Sequence, residues 1–358
     1  MNKINSTPHM MIMAGGTGGH IYPALAVAAL WQQQGGSVVW LGNPKGMEAR
    51  LVPEAGFDLE PVRIDGLRGK GITSLLAAPM RLLRALWQSL QAIRRQQPDV
   101  VLGMGGFVSG PGGLAAWLLR KPLVVHEQNA IAGLTNKLLA RFSSEVLQAF
   151  PGALDGATTI GNPVRSELYQ VAPAAAHQPL RLLVLGGSLG AQRINQLVPE
   201  LLAELQGVEV YHQTGARNLD ETLAYYRAEN ITPDDSKVRV VPYIDEMEPA
   251  YAWADLVLCR AGAMTISELA LVGRGSILVP FPFAVDDHQS ANGRFLQQAG
   301  AAMLVQQHEL DREKLLQWIT EWREQPQRIA EMGAAAKALA QPEATQRVVE
   351  ICRKQGGK

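Results

Sequence analysis

The stretch "HMMIMAGGTGGHIYPALAVAALWQQQG", residues 9–35, decides the fold. A short apolar run meets four glycines set around Thr17, and a run of helical periodicity follows, so it reads as strand, tight loop and helix. Pro23 is expected in the first turn of that helix, where its missing N–H costs little. Loops of this kind present backbone N–H groups to a phosphate, and the positive end of the helix dipole favours an anion there. The plainer alternative is a turn in which glycine only supplies positive φ. His20 is the residue a phosphate loop does not require: it is either a helix-start side chain bonded to nearby backbone or a neutral imidazole able to accept a proton.

Outward from this stretch, "SVVWLGN", "DVVLGMGGFVSG" and "PLVVHEQNA" read as further buried strands ending in polar or glycine loops. At residue 180 the pattern restarts, because "LRLLVLGGSLGAQRINQLVPELLAEL" is again strand, glycine loop and helix. "VEVYHQTG", "VRVVPYI", "DLVLCRAGAMTISELALVG" and "GSILVPFP" continue it. Strands alternating with helices imply parallel sheets with right-handed crossovers. The restart predicts an α/β protein of two doubly wound, Rossmann-like domains facing across a cleft, with ligands outside the carboxyl ends of the strands. Residues 158–179, which carry Pro163 and a Pro/Ala-rich end, are the expected linker.

Composition narrows the function. Lys plus Arg equals Asp plus Glu at 33 each, so no global field points to nucleic acid. Cys259 and Cys352 form no metal spacing and fit a reduced compartment. The N-terminus lacks the charged and apolar regions of a signal peptide, and no run approaches the ~18 apolar residues of a spanning helix. A cytosolic or peripheral protein is expected.

A dinucleotide oxidoreductase is the first rival. Its GxGxxG fails here because Ile21 stands where the third glycine belongs, and the second strand ends at Asn43 with no carboxylate for a ribose. The loop Gly186–Gly190 misses that spacing too, and neither loop carries the Lys-Ser/Thr of a P-loop. In "CRAGAMTISELA", residues 259–270, Thr265 and Glu268 have capping-box spacing, while Glu268 could equally accept hydrogen bonds from ribose hydroxyls. "DDHQSANG", 286–293, is a polar loop after a buried strand, either surface or sugar-reading.

From Gly66 to Pro98 no acidic residue occurs, yet Arg68, Lys70, Arg81, Arg84, Arg94 and Arg95 fall there. At 100° per residue Leu75, Leu76, Met80, Leu82, Leu83, Leu86, Trp87, Leu90 and Ile93 share one arc, with Arg81, Arg84 and Arg95 opposite. That is the composition of a helix in an anionic membrane interface; the alternative is a helix packed on its own sheet. A non-catalytic peripheral membrane protein is the second rival, and it leaves the Glu268 segment unexplained.

Eight collinear motifs ("MAGGTGGHIYPALAVA", "GLRGKG", "DVVLGMGGFVSGPGGLAA", "HEQNAIAGLTNK", "GNPVR", "LLVLGGSLGAQRIN", "RAGAMTISELA" and "VPFPFAVDDHQSANG") resemble the MurG family of bacterial peptidoglycan glycosyltransferases, across nearly the whole chain. Met264, Ile266 and Gly293 are small departures from that pattern. The resemblance implies a two-domain GT-B fold, with residues 1–164 plus 340–358 facing acceptor and membrane and residues 165–339 binding donor. It implies an inverting transfer of GlcNAc from UDP-GlcNAc to the MurNAc 4-hydroxyl of undecaprenyl-pyrophosphoryl-MurNAc-pentapeptide (lipid I), giving lipid II. Thr17, Gly18 and Gly19 would line the diphosphate and acceptor cleft, and Asn129 would reach the donor GlcNAc. Arg165 and Ser188 would hold the UDP phosphates, and Ile244 would meet uracil through its backbone. Ala263, Met264, Thr265, Ile266, Ser267 and Glu268 would wrap the nucleoside, and Gln289 would bond the GlcNAc ring. His20 is the candidate base. No cofactor and no metal are expected, since no DxD-like pair ends a strand. Leu76, Met80, Arg81, Leu83, Arg84 and Trp87 would form the face toward anionic lipid of the bacterial inner membrane, on its cytoplasmic side. Proteins of wall synthesis or division are further candidate partners.

Overall fold

In the computed structural model, residues 7–64, 78–173, 177–187, 190–233 and 237–357 are described. The chain divides into two units, Met1–Arg165 with Gln341–Lys358, and Ser166–Ala340.

The first unit is built on a parallel sheet of β1 (His9–Met13), β2 (Ser37–Gly42), β3 (Asp58–Pro61), β4 (Val100–Gly103), β5 (Leu123–Glu127), β6 (Glu145–Gln148) and β7 (Thr158–Thr159). Their order is β3-β2-β1-β4-β5-β6-β7, the reversal of a doubly wound sheet. The period of two in β1 sorts its side chains. Met10 and Ile12 meet Ile21, Val27 and Trp31 of the helix Gly18–Gln33 and Val348, Val349 and Cys352 of the helix Ala344–Gly356. Met11 and Met13 join the opposite cluster with Ala85, Ile93 and Ala115. The C-terminal helix thus covers the first sheet. Trp40 is fully buried and its Nε1 donates to Ala14 O at 2.8 Å, which ties β2 to the end of β1.

The second unit repeats the plan with β8 (Leu180–Leu185), β9 (Val208–Gln213), β10 (Val238–Val241), β11 (Leu256–Cys259), β12 (Gly275–Leu278) and β13 (Ala302–Leu304), ordered β10-β9-β8-β11-β12-β13 and all parallel. Its core gathers Leu182, Val184, Ile194, Val198, Leu258, Ile277 and Trp322. Both cysteines are free and buried, and burial pushes the Cys352 thiol up to about 12.

One local expectation is corrected. The first helix begins at Gly18, so Pro23 lies in its second turn and withholds the N–H that would pair with Gly19 O. In the helix Ala78–Gln96 the buried residues are Ala78, Ala85, Ser89, Ala92 and Ile93, whereas Met80 (72% exposed), Leu83 (61%) and Trp87 (59%) face outward. Small side chains and Ile93 make the close approach, and Met80, Leu83 and Trp87 are left in water. Among the described residues no helix is long and apolar enough to cross a membrane.

Candidate functional site

In the first unit the strand order reverses between β1 and β4, and the loops following them meet through glycine. A Cβ on Gly106, at φ +86°, would lie 2.4 Å from Gly15 O. Beneath the first loop sits Glu48, 1% exposed, whose Oε2 accepts from Gly16 N at 3.1 Å and whose Oε1 accepts from Asn43 N at 3.0 Å. A Cβ on Gly15 would fall 2.4 Å from that carboxylate. Gly15 and Gly16 therefore make room for, and donate to, a buried carboxylate rather than a phosphate. What the loop leaves toward solvent is its far end. Thr17, exposed, is the N-cap of Gly18–Gln33 and its side chain makes no cap bond, while Gly18, Gly19 and His20 are half-buried in the first turn.

His20 belongs to a chain of side chains from β5. His20 Nδ1 lies 2.9 Å from Gln128 Oε1, Gln128 Nε2 lies 3.0 Å from both His126 Nδ1 and His126 O, and His126 Nε2 lies 2.9 Å from Gly161 O. His126 and Gln128 are buried, and burial pushes His126 down to about 4, against the smaller upward pulls of Gly161 O and Glu127. Among the described residues nothing bonds His20 Nε2.

Next along the chain, Glu127, 1% exposed, holds the loop that carries Asn129. Its Oε1 accepts from Asn129 N (2.9 Å) and Asn129 Nδ2 (3.2 Å), and its Oε2 accepts from Gly133 N (3.2 Å) and Asn136 Nδ2 (2.8 Å). Arg165, the last residue of the unit's long segment, sits over the Tyr22 ring at 5.2 Å from its centroid. Thr17, Gly18, Gly19, His20, Asn129 and Arg165 thus come from the carboxyl ends of β1 and β5 and the segment that follows β7. Glu48, Glu127, His126 and Gln128 support them, and no sequence spacing pointed to those four.

In the second unit the loop after β8 is gripped by Gln213 at the end of β9. Gly187 N donates to Gln213 Oε1 and Gln213 Nε2 donates to Gly187 O, both at 3.1 Å, while Gly186 N donates to Gln213 O at 2.9 Å. Gly190 N donates to Gly187 O at 3.0 Å. The described amides of this loop are therefore spent internally, as in the plain turn. Ser188 lies outside the described residues.

The second candidate anion site of this unit is the turn after β11. The helix Ala263–Val272 starts at Gly262, which as N-cap makes no side-chain bond. Thr265 is already inside the helix, so Thr265 and Glu268 do not form a capping box. Glu268, 7% exposed, accepts from Tyr251 Oη at 3.1 Å through Oε2. Ile266 is fully buried and can offer a ligand only backbone, while Met264, Thr265 and Ser267 are half-buried. Ile244 is buried in the segment after β10. Arg260 fastens the loop after β12: its Nη1 donates to Val279 O and Pro280 O at 3.2 Å, and its Nη2 to Gln307 Oε1 at 2.6 Å. Phe281 N then donates to Gln289 Oε1 at 2.9 Å, which turns the amide of Gln289 so that Nε2 is the atom it can offer. Asp286 and Asp287 both take φ +52°, two consecutive non-glycine residues in the left-handed region, immediately before the helix His288–Gln298. Among the described residues no three His, Cys, Asp or Glu side chains gather as a metal site.

Of the expected membrane face, Leu76 lies outside the described residues, and Met80, Arg81, Leu83, Arg84 and Trp87 are exposed. The helix Ser109–Leu118 packs beside Ala78–Gln96 and adds exposed Trp117 and Leu118; the helix Leu134–Leu139 packs beside it in turn and adds Leu134 and Leu138. Trp117 and Phe142 pack at 5.1 Å between ring centroids. Arg120, Lys137 and Arg141 are exposed among them.

Comparison with known proteins follows this division. The glycosyltransferase family 28 N-terminal domain matches residues 10–148, and the glycosyltransferase family 28 C-terminal domain matches residues 181–348. A Burkholderia ambifaria protein named UDP-N-acetylglucosamine--N-acetylmuramyl-(pentapeptide) pyrophosphoryl-undecaprenol N-acetylglucosamine transferase is 53% identical over 351 residues, 96% of this chain and 95% of that protein. A Burkholderia thailandensis protein of the same name is 52% identical, covering 98% and 97%. The crystal structure of Acinetobacter baumannii MurG superposes with a TM-score of 0.83 at 41% identity, covering 97% of this chain and 99% of that one.

Proposed function

Because the chain belongs to glycosyltransferase family 28, we propose that it performs the transfer its relatives are named for: GlcNAc moves from UDP-GlcNAc to the MurNAc 4-hydroxyl of lipid I, and lipid II is formed. The first unit, Met1–Arg165 with Gln341–Lys358, serves the acceptor and the membrane; the second, Ser166–Ala340, binds the donor.

The observation that carries this reading is the turn into Ala263–Val272. An uncapped helix N-terminus suits a diphosphate, and a carboxylate one turn along, Glu268, suits the two hydroxyls of a ribose. Ala263 to Glu268 meet the nucleoside and phosphate, Ile266 by backbone alone. Ile244 meets uracil by backbone, and Gln289 donates through Nε2 to the GlcNAc ring. Asn129 reaches the same sugar. Ser188 and Arg165 hold the UDP phosphates, with Tyr22 steadying the guanidinium.

The reaction is an inverting displacement at the anomeric carbon through an oxocarbenium-like transition state. His20 Nε2 removes the proton of the 4-hydroxyl as the new C–O bond forms, and the bond to UDP breaks with its electron pair on the β-phosphate. Helix amides and Arg165 meet the charge that develops there. Thr17, Gly18 and Gly19 line the approach. The apolar and basic face around Met80, Leu83 and Trp87 docks reversibly on the anionic cytoplasmic leaflet of the inner membrane, which brings the enzyme to its lipid acceptor.

The test is transfer of GlcNAc from UDP-GlcNAc to a lipid I analogue with EDTA present. Product is expected from the native chain and a fall of ~100-fold or more in kcat from His20→Ala. Near-complete retention of turnover by that variant at saturating acceptor sinks His20 as the base. Loss of all turnover on chelation sinks the metal-independent reading.

A further inference from the structure

We infer that Gln128 and His126 form a relay, anchored on the backbone, that fixes His20 as the Nδ1–H tautomer and leaves Nε2 as the proton acceptor. The inference deepens the reading of His20 as base and rests on it for its catalytic consequence. The chemistry follows from the acceptors at the far end. A carbonyl oxygen can only accept, so His126 Nε2, 2.9 Å from Gly161 O, carries the hydrogen. A neutral ring with Nε2–H has a lone pair on Nδ1, and Gln128 Nε2 donates to it at 3.0 Å. The same amide nitrogen also faces His126 O at 3.0 Å, a second oxygen that can only accept, so the amide has one orientation. Oε1 must then point at His20 Nδ1, 2.9 Å away, and an oxygen without hydrogen requires that nitrogen to be the donor.

Two glycines hold the ends of this chain. A Cβ on Gly105, at φ +94°, would lie 2.7 Å from His20 Nδ1, so the ring occupies space that only glycine leaves. Gly161, at φ +84°, is pressed against the returning C-terminal segment, where a Cβ would meet that of Gln341 at 2.3 Å. Its backbone is thereby set against the segment that leads into the helix covering the sheet. Protonation of His126 would turn Nδ1 into a donor facing a donor, and burial already opposes that charge. Gln128 touches no reacting atom; it is a positioning residue, and His126 positions Gln128.

The test is nitrogen NMR of the full chain labelled with 15N-histidine, the His20 resonances being identified by their loss in His20→Ala. The native chain should show a protonated Nδ1 and an unprotonated Nε2 at His20 above the pH where the ring titrates. The opposite tautomer, or an equal mixture, overturns the relay without any variant having to fold. Gln128→Met removes the amide at similar length and should release His20 to a tautomer mixture. In that variant kcat should fall ~10- to 100-fold while KM for UDP-GlcNAc holds, since the donor groups are untouched. Unchanged tautomer and unchanged kcat in Gln128→Met overturn the relay. If the native chain shows the expected tautomer yet His20→Ala keeps full turnover, the relay stands and the assignment of His20 as base falls.

Discussion

Replacing His212 with glutamine should make the second unit less stable at neutral pH and remove this ring's share of its acid sensitivity, so that the two stability curves converge or cross. The ring is fully buried between β9 and two helices. Asn195 Nδ2 donates to Thr214 O at 2.9 Å, which turns Asn195 Oδ1 toward His212 Nε2 at 3.1 Å, and Tyr226 Oη donates to Nδ1 at 2.9 Å. Both ring nitrogens are satisfied in the neutral form only, and burial pushes the group down to about 3. In the unfolded chain it returns to about 6.5. Between those values the unfolded state binds a proton that the folded state refuses, so stability is fully present above about pH 6.5 and falls by about 1.4 kcal/mol per pH unit below it. At pH 4.5 the loss from this ring is about 3 kcal/mol. His212→Gln removes the titration and leaves the Tyr226 hydroxyl without its acceptor, at a cost of about 1–3 kcal/mol. Urea unfolding at pH 7.5 and 4.5, read by hydrogen exchange in Val208–Gln213, scores this unit alone. An equal acid-induced loss in native and variant chains would refute the reasoning.

Glu268→Gln should raise KM for UDP-GlcNAc by about tenfold with kcat little changed, as expected for losing a charged partner of the ribose; steady-state kinetics in the donor checks it, and an unchanged KM leaves Glu268 a structural residue bonded to Tyr251. Glu48→Gln keeps one acceptor and turns a donor toward either Gly16 N–H or Asn43 N–H, so unfolding free energy should drop by about 1–3 kcal/mol in a denaturant titration. Arg81→Glu together with Arg84→Glu should weaken sedimentation with anionic vesicles by about 30-fold or more, at about 1 kcal/mol for each basic residue removed, with neutral vesicles unaffected; undiminished binding would exclude this face as the dock.

The double winding was legible because it is written locally. Alternation in Met10–Met13 gives each face of the sheet its own side chains, and the second strand–glycine–helix run at Leu180 announces a second sheet. The helix Ala78–Gln96 was legible as amphipathic, with Met80, Leu83 and Trp87 expected outside, but what packs on its inner side was not. A 100° wheel groups Met80, Leu83 and Trp87, yet cannot tell that Ala85, Ser89 and Ala92 meet the neighbouring helix and leave the larger groups outside. The start of the first helix at Gly18 was missed because glycine has low helix propensity, while tertiary contact with Glu48 and Gly105 sets the loop. His126, Gln128 and Glu127 stand next to Asn129 in the chain, but their partners are Gly161, His20 and Asn136. Nothing in local periodicity encodes a pairing across 108 residues such as Gln128 with His20.

The two glycine loops are alike in a way that spacing did not reveal. Each is held by a polar side chain delivered from the second strand of its sheet or just beyond it: Glu48, after β2, takes Gly16 N–H, and Gln213, at the end of β9, takes Gly187 N–H. In a dinucleotide fold the corresponding region supplies a carboxylate to a ribose, and the loop amides remain open to a pyrophosphate. Here that side chain is turned inward and takes the Gly16 or the Gly187 amide, which gives a physical reason for the broken fingerprint. A buried carboxylate beneath the first loop also opposes a phosphate settling on it, since two like charges in a poorly solvated place repel strongly. Under the proposed function anion binding falls to two helix first turns, Thr17–Gly19 after β1 and Gly262–Thr265 after β11, and the second of these is followed one turn along by the buried carboxylate of Glu268. On the proposed reading the asymmetry follows from the residues: one turn would use Glu268 for a nucleoside, and the other His20, with the Gln128–His126 chain behind it, for a hydroxyl.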